Sequence, residues 1–250
     1  MIKKLIDKIR YRNLPFIECP LCGYKAKILK TGSKIGKCPK CTTYGRHRLT
    51  SLWLKEIMTA DDTRSILHVA PEPGLKNFIK KEFPNTDYAD LDSGEGESGD
   101  VASYKFDLCD LPHSDNYFDL AICSHVLEHI IDDRKAIKEL FRVMKPEGTA
   151  LILLPIFHDL EKTFEDPRVT NRKTRKKVFG QEDHVRKCGL DYWDRITEAG
   201  FQLSQKNYTF EGSREEKRCY SLLDGMREKD YQDYLNLFTK PKLEPANNSV

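Results

Sequence analysis

The sequence predicts an α/β protein: a doubly wound, Rossmann-like sheet with a small N-terminal zinc ribbon of four cysteine ligands. From Ser65 onward, short apolar runs alternate with stretches whose apolar residues recur at helical intervals. That is the pattern of parallel strands covered on both faces by helices. Upstream, Cys19-Pro-Leu-Cys22 and Cys38-Pro-Lys-Cys41 form two C-x2-C pairs separated by fifteen residues. Two such turns present four thiolates to one ion in a closed tetrahedral site.

The bulk properties are consistent with this. A chain of 250 residues holds one good-sized domain and a small appendage. With 39% hydrophobic and 32% charged residues it reads as an ordinary soluble globular protein. A net charge of +3 is too mild to imply nucleic acid or membrane by itself. The longest apolar run, "ALILLPIF", is too short to span a bilayer, so no membrane insertion is expected. The opening "MIKKLIDKIRYRNLPF" lacks the apolar centre of a signal peptide. Eight cysteines without a secretory segment point to a reducing, cytoplasmic setting and to metal binding rather than disulfides.

Residues 1–16 predict a short basic amphipathic helix that packs on its own domain, with membrane-surface contact as the alternative. Residues 17–50 carry few large apolar groups and need a metal staple, supplied by Cys19, Cys22, Cys38 and Cys41. Gly23 follows the second cysteine, where such a turn favours a permissive backbone. Arg46, His47 and Arg48 come next and face either an anionic substrate group or solvent. The main domain is expected over 51–240. "SLWLKEIM" is a linking helix, "SILHVA" and "TDYADLD" are strands, and "LKNFIKKEF" between them is a helix. "VASYKFDL" and "YFDLAICSHV" are the next strands. "IIDDRKAIKELFRVMKPEG" is an amphipathic helix stopped by Pro146 and Gly148, and "TALILLPI" is a fifth strand. Residues 158–183 form a polar segment with a basic cluster from Arg168 to Lys177, either a solvated charge run or a lid for an anionic acceptor. "DYWDRITEAGF" is a helix ending near Gly200; "FQLSQKNYTF" and "RCYSLLDG" read as a closing hairpin. Residues 241–250 are expected to be disordered.

The stretch "LHVAPEPGL" places a turn, Val69–Gly74, at the carboxyl end of a central strand, the usual ligand crevice of this architecture. The following helix offers unpaired N–H groups there. The turn is rich in proline rather than glycine, with neither G-x-G-x-x-G nor G-K-[ST] nearby. A dinucleotide is disfavoured; a compact cofactor needs less. Asp90 or Asp92 ends the second strand, placed to accept bonds from ribose hydroxyls, and Asp107 ends the third, in reach of a purine amino group.

"ILHVAPEPG", "YADLD", "FDLCDLPHSDNYFDLAICSHVLEHIIDD" and "ELFRVMKPEG" together resemble class I S-adenosylmethionine-dependent methyltransferases of the type 11 group. The resemblance covers about Ser65 to Pro155. It implies cofactor contacts from the Ala70–Gly74 loop, Asp90, Asp107 with Leu108, and Ser124 with His125. The family's usual first glycines are Ala70 and Glu72 here. Glu72 places an anion where the methionine ammonium of the cofactor would pair with it.

Methyl transfer from a sulfonium is an in-line displacement, and a hydroxyl or amine acceptor needs a base. Asp183, His184 and His125 are the candidates, with Arg186 and Asp191, and Arg46 and Arg48, as substrate contacts. The expected acceptor is a small molecule or carbohydrate. RNA, protein and a non-catalytic binding role are the alternatives. His125-Val-Leu-Glu128-His129 also fits the inverted zinc-protease pattern H-x-x-E-H, which needs both histidines on one helical face.

Overall fold

The computed structural model describes residues 16–27, 30–31, 34–91, 107–208, 211, 220, 222 and 235–242. The expected N-terminal helix, Asp92, nearly all of the strand expected at 101–108, most of the stretch 218–225 and the tail from 243 lie outside them. The chain divides into two compact units. One comprises Met1–Asp62, Glu72–Thr86 and Asn207–Leu235; the other comprises Thr63–Pro71, Asp87–Lys206 and Asn236–Val250. Among the described residues no helix is long and apolar enough to cross a membrane.

The first unit contains two short antiparallel pairs, β1 (Ile17–Glu18) with β2 (Lys25–Ala26) and β3 (Lys30–Thr31) with β4 (Lys34–Ile35). Helix α1 (Gly45–Ile57) begins six residues before the expected Ser51, so Arg46, His47 and Arg48 form its first turn. The Tyr44 N–H is capped by His47 Nδ1 at 3.2 Å, an unusual cap that ordinary start signals do not reveal. The α1 face of Leu49, Leu52, Trp53 and Leu54 is buried. Helix α2 (Pro73–Glu82) starts on a proline, whose fixed φ suits a first turn, and buries Leu75, Phe78 and Ile79. Lys55 joins the two helices, with its ammonium 3.4 Å from Glu82 and 5.3 Å from the centre of the Phe78 ring.

The second unit is built on β5 (Ser65–Val69), β6 (Asp87–Leu91), β7 (Phe118–Ser124) and β8 (Met144–Leu153), which pair in parallel. All of β5 and nearly all of β7 is buried, as the continuous apolar runs require. A 3-10 turn, Leu127–His129, follows β7 and leads to α3 (Asp133–Val143). Asp132 caps α3 by accepting from the Lys135 N–H at 3.1 Å, and Ala136, Ile137, Leu140 and Val143 form its buried face. The H-x-x-E-H segment, His125–His129, thus holds only this turn, so its two histidines share no helical face.

Helix α3 stops at Val143, earlier than the predicted Pro146 and Gly148, because a residue preceding proline is pushed into extended conformation. Strand β8 begins at once, and the register against β7 shifts between Phe118↔Met144 and Leu120↔Thr149. Pro146 falls inside that irregularity, where no ladder bond is lost.

A small pair, β9 (Phe164–Glu165) with β10 (Arg186–Lys187), brackets α4 (Arg172–Phe179). The basic segment is therefore partly helical: Asn171 caps it through the Thr174 N–H at 2.8 Å, and Gly180 closes it at φ 95°. Helix α5 (Tyr192–Glu198) precedes β11 (Gln202–Tyr208). Among the described residues the neighbour of β11 is β12 (Leu235–Thr239), an unpredicted strand. The sheet order is β11-β12-β8-β7-β5-β6, with β12 antiparallel to β8. Succession reverses at β5, with β6 on one side and β7 on the other, and in open α/β sheets ligands sit at the carboxyl ends of the strands flanking such a reversal.

At the opposite end, Asp119 Oδ2 accepts from Ser65 N–H at 2.9 Å, Ser65 Oγ at 2.8 Å and Lys145 Nζ at 2.8 Å. Burial pushes this carboxyl up, but the bonds from Lys145 and Ser65 outweigh it and hold it below its ordinary value of 3.8. A carboxyl lowered on folding contributes stability above its unfolded value and loses it as pH falls through the folded one. Asp119→Asn is expected to lower the melting temperature at neutral pH and to flatten its decline between about pH 5 and pH 3. Parallel wild-type and variant melting curves across that range would expose an error here.

Candidate functional site

The four predicted cysteines come together. Their sulfurs lie within 4.8 Å of one another, with Cys19–Cys41 and Cys22–Cys38 each at 3.6 Å. The two turns have the same backbone. Gly23 N–H donates to Cys19 O and Thr42 N–H to Cys38 O, both at 2.9 Å. Cys19 N–H donates to Tyr24 O and Cys38 N–H to Thr43 O, again both at 2.9 Å. Gly23 and Thr42 occupy equivalent left-handed positions at φ 68° and 60°. Burial pushes the Cys22 thiol up to about 11. The hydrogen bond between Cys19 and Cys41 pulls Cys41 down to about 4 and pushes Cys19 up. Four sulfurs this close cannot all ionise without a cation between them, so the donor set fits a soft divalent ion such as zinc.

Near the second turn, a Cβ on Gly74 would stand 2.6 Å from Cys41 O and 2.5 Å from Thr43 Cγ2, so only glycine lets α2 start there. The Glu72 carboxylate, expected at a cofactor ammonium, lies 2.6 Å from His47 Nε2 and 3.8 Å from Arg46. Arg48, expected as a substrate contact, is fully buried. Its guanidinium donates to the carbonyls of Tyr220 and Gly36 at 2.9 Å and of Thr43 at 3.2 Å. That geometry ties the cysteine segment to α1.

At the carboxyl ends of β5 and β7 stand Val69, Ala70, Ser124 and His125. Ala70 adopts φ 48°, the left-handed conformation that glycine takes freely. Ala70 thus holds a glycine-like backbone. Ser124 is buried, and its hydroxyl has no hydrogen-bond partner among the described residues. His125 is also left-handed, at φ 55°, and its N–H donates to Leu153 O at 2.9 Å. Asp90 pairs through its backbone with His68 in β6. Asp107 is exposed and caps a turn by accepting from Cys109 N–H at 2.8 Å, while Leu108 beside it is buried.

The structure gathers further side chains beside His125. Glu128, buried to 1% side-chain exposure, places Oε1 3.3 Å from His125 Nδ1 and 3.9 Å from His129 Nε2. His184, also buried, stacks edge-on to His129 at 4.7 Å between ring centres. Burial pulls the His184 imidazole down, against the opposing pull of Glu128. The exposed Asp183 approaches His129 Nδ1 at 3.3 Å. His125, Asp183 and His184 were anticipated; Glu128 and His129 stood out only as part of the H-x-x-E-H pattern.

Arg186 and Asp191, expected to meet substrate, face inward. Arg186 is 3% exposed and donates to the carbonyls of Leu127 at 2.6 Å, Ile130 at 2.5 Å and Ile131 at 3.0 Å, and to Glu165 at 2.5 Å. Asp133 completes its surroundings at 3.5 Å and also accepts from Tyr192 at 2.6 Å and Arg195 at 2.7 Å. Asp191 precedes α5 and accepts from the Thr163 N–H at 2.6 Å and hydroxyl at 2.8 Å.

Residues 57–152 match the family model described as a methyltransferase domain. A ubiquinone/menaquinone biosynthesis C-methyltransferase, UbiE, of Vibrio vulnificus is 36% identical over 73 residues, which is 28% of this chain and 28% of that protein. Ajmaline N-methyltransferase of Rauvolfia serpentina is 28% identical over 88 residues, covering 35% of this chain and 30% of that protein. The aligned stretch thus spans under a third of these curated relatives. An S-adenosylmethionine-dependent methyltransferase from Mesorhizobium loti superposes with a TM-score of 0.50 at 15% identity, over 75% of this chain and 96% of that one. At that identity the likeness is one of fold.

Replacing Arg186 by Met removes a buried cation and its donors to the carbonyls of Leu127, Ile130 and Ile131, and is expected to cost about 3 kcal/mol in denaturant unfolding. A loss below about 1 kcal/mol would contradict the clamp. Thr42→Gly relieves a β-branched residue at positive φ and is expected to stabilise the first unit by about 0.5–1 kcal/mol. A lowered melting temperature for that variant would count against the equivalence of the two turns.

Proposed function

Residues 57–152 belong to the methyltransferase domain family, and on that premise we propose that the chain is an S-adenosylmethionine-dependent methyltransferase with a small-molecule or carbohydrate-like acceptor. In this reading the main domain covers 51–240, and a zinc ribbon covers 17–50. Zinc is held by Cys19, Cys22, Cys38 and Cys41. Four sulfurs complete its coordination, so the ion is structural and supplies folding energy to a segment with a small core. Thiolate ligation also favours the reducing cytoplasm as the compartment.

The observation that carries the reading is the pair of strand ends beside the reversal in strand order. There Ala70 holds a glycine-like backbone, and the Ser124 hydroxyl is buried without a protein partner among the described residues. Ala70 lets the chain turn close to a ligand. Ser124 and His125 are assigned to the cofactor from the end of β7. Asp90 is assigned to the ribose hydroxyls. Asp107, with one oxygen engaged by Cys109 N–H, is assigned with Leu108 to the adenine. The bound cofactor supplies a methyl group on a good leaving group. The protein's task is to align the acceptor and exclude water. His184 or His125, with Asp183 nearby, is assigned the acceptor's proton. Glu72 and Gly74 are assigned to the start of α2 rather than to the cofactor, given their engagement with His47 and Cys41. The small-molecule acceptor is favoured by the names of the curated relatives, a C-methyltransferase of quinone biosynthesis and an N-methyltransferase of ajmaline.

Isothermal titration with S-adenosylmethionine tests the site. One equivalent is expected to bind, and Asp107→Ala to weaken it at least about tenfold, the equivalent of ~1.4 kcal/mol. Absence of binding overturns the reading. Methyl label from the cofactor should then appear in a small-molecule fraction of a cell extract. Label in an RNase-sensitive fraction would replace the acceptor assignment, and binding with no turnover in any fraction would favour a non-catalytic binding protein.

A further inference from the structure

We propose that Glu128, His129 and His184 form a second metal site, separate from the four cysteines, that takes a divalent first-row transition-metal ion such as Mn2+, Fe2+, Co2+ or Zn2+. One ligand atom from each of the three lies within 4.8 Å of the others.

The strongest observation is Glu128. Its side chain is 1% exposed, and neither carboxylate oxygen has a hydrogen-bond partner among the described residues. A buried carboxylate is costly without compensation. Among the described residues no lysine or arginine forms an ion pair with it. Arg186, which donates to the carbonyl of neighbouring Leu127, spends its donors on backbone carbonyls and Glu165. The nitrogens of His125 and His129 stand at 3.3 and 3.9 Å from Oε1. On the other side, buried His184 also leaves Nδ1 without a partner. A simple ion pair between Glu128 and His125 would leave that second orphan unexplained; a shared cation accounts for both.

The arrangement of His129 points the same way. Its Nε2 faces Glu128, while Nδ1 lies 3.3 Å from Asp183 Oδ2. A metal-bound histidine commonly gives its other ring nitrogen to a carboxylate, which fixes the tautomer and aims the ring. Asp183 thus has the position of an orienting partner. The backbone is fixed as well: Val185 N–H donates to Glu128 O at 3.0 Å, joining the turn to the segment that carries His184. Two imidazoles and one carboxylate suit a borderline ion, in contrast to the four thiolates. Three protein ligands leave coordination positions open. Use of those positions for an acceptor oxygen, with His125 rather than the metal-bound His184 as its base, rests on the methyltransferase reading; binding of the ion does not.

The test uses the full chain with zinc retained on its cysteines and no added cofactor. Mn2+ is the probe, because oxygen and nitrogen ligands hold it and thiolates favour zinc. Loss of the free Mn2+ paramagnetic resonance signal should report one bound ion per chain. Glu128→Gln and His184→Ala are expected to weaken binding by at least about tenfold, and Asp183→Asn by about tenfold, the size of an orienting partner's effect. Asp183 is exposed, so its variant separates loss of the site from loss of the fold, with circular dichroism as the check. Wild-type protein that takes up no Mn2+, and no Co2+ or Zn2+ beyond the cysteine-bound equivalent, overturns the proposal. Uptake unchanged in all three variants does so too. Cofactor binding retained without metal uptake overturns this site alone; metal uptake without cofactor binding overturns only the methyltransferase reading.

Discussion

The guanidinium of Arg186 meets a constraint that the chain creates for itself. Strand β7 is buried, so the segment leaving it starts inside the protein, and its carbonyls must find donors there. A 3-10 turn of three residues, Leu127–His129, meets this only in part: His129 N–H reaches Val126 O at 2.9 Å and Ile130 N–H reaches Leu127 O at 3.3 Å. Arg186 donates to Leu127, Ile130 and Ile131 at once. The buried charge needs anions in return, and Glu165 and Asp133 provide them. Each side removes the other's penalty, which a planar fork of donors does better than a point charge. Freed from hydrogen bonding within its own turn, Glu128 can be held in the interior with its carboxylate uncommitted.

The first unit solves a different problem. Its cysteine segment has a small core, Ile17 with Cys19 and Cys38, flanked by Leu21 and Tyr24. Two copies of one tight turn replace hydrophobic bulk. The second copy carries Thr42 where the first has Gly23, and α2 begins so close to it that a methyl group on Gly74 would collide with Cys41 O. The one glycine left in the "APEPG" loop therefore serves packing, which explains why it survives where the others are absent.

What could be read from the sequence followed the range of the forces involved. β5 and β7 were legible because a strand buried on both faces is apolar almost throughout. The cysteine pairs were legible because metal geometry fixes their spacing. The arginines were not. Arg48 and Arg186 look like surface charges beside His47 and His184, and their burial depends on carbonyls contributed by distant segments. The start of α1 was missed because His47 is not an ordinary capping residue. Glu128 was visible as a letter in H-x-x-E-H, yet its lack of partners is a property of the folded chain. Strand β12 is five residues long, and only its pairing with β8 reveals it.

That last strand bears on how the molecule is assembled during synthesis. β12 inserts between β8 and β11, so β8 gains its second neighbour only from residues made well after the β5–β8 layer. Phe238 fills the core beside Phe201 and Trp193, and Lys240 reaches back to Asn116 at 2.8 Å and to the carbonyl of Met144 at 2.8 Å. Until those residues arrive, β8 presents an unpaired edge, and two aromatic rings lack their cover. A nascent chain halted before residue 235 would carry the whole β5–β8 layer and still be prone to association with its neighbours. The order of strands in space, set against their order in time, makes the interval between synthesis of β8 and of β12 the vulnerable one in this protein's biogenesis.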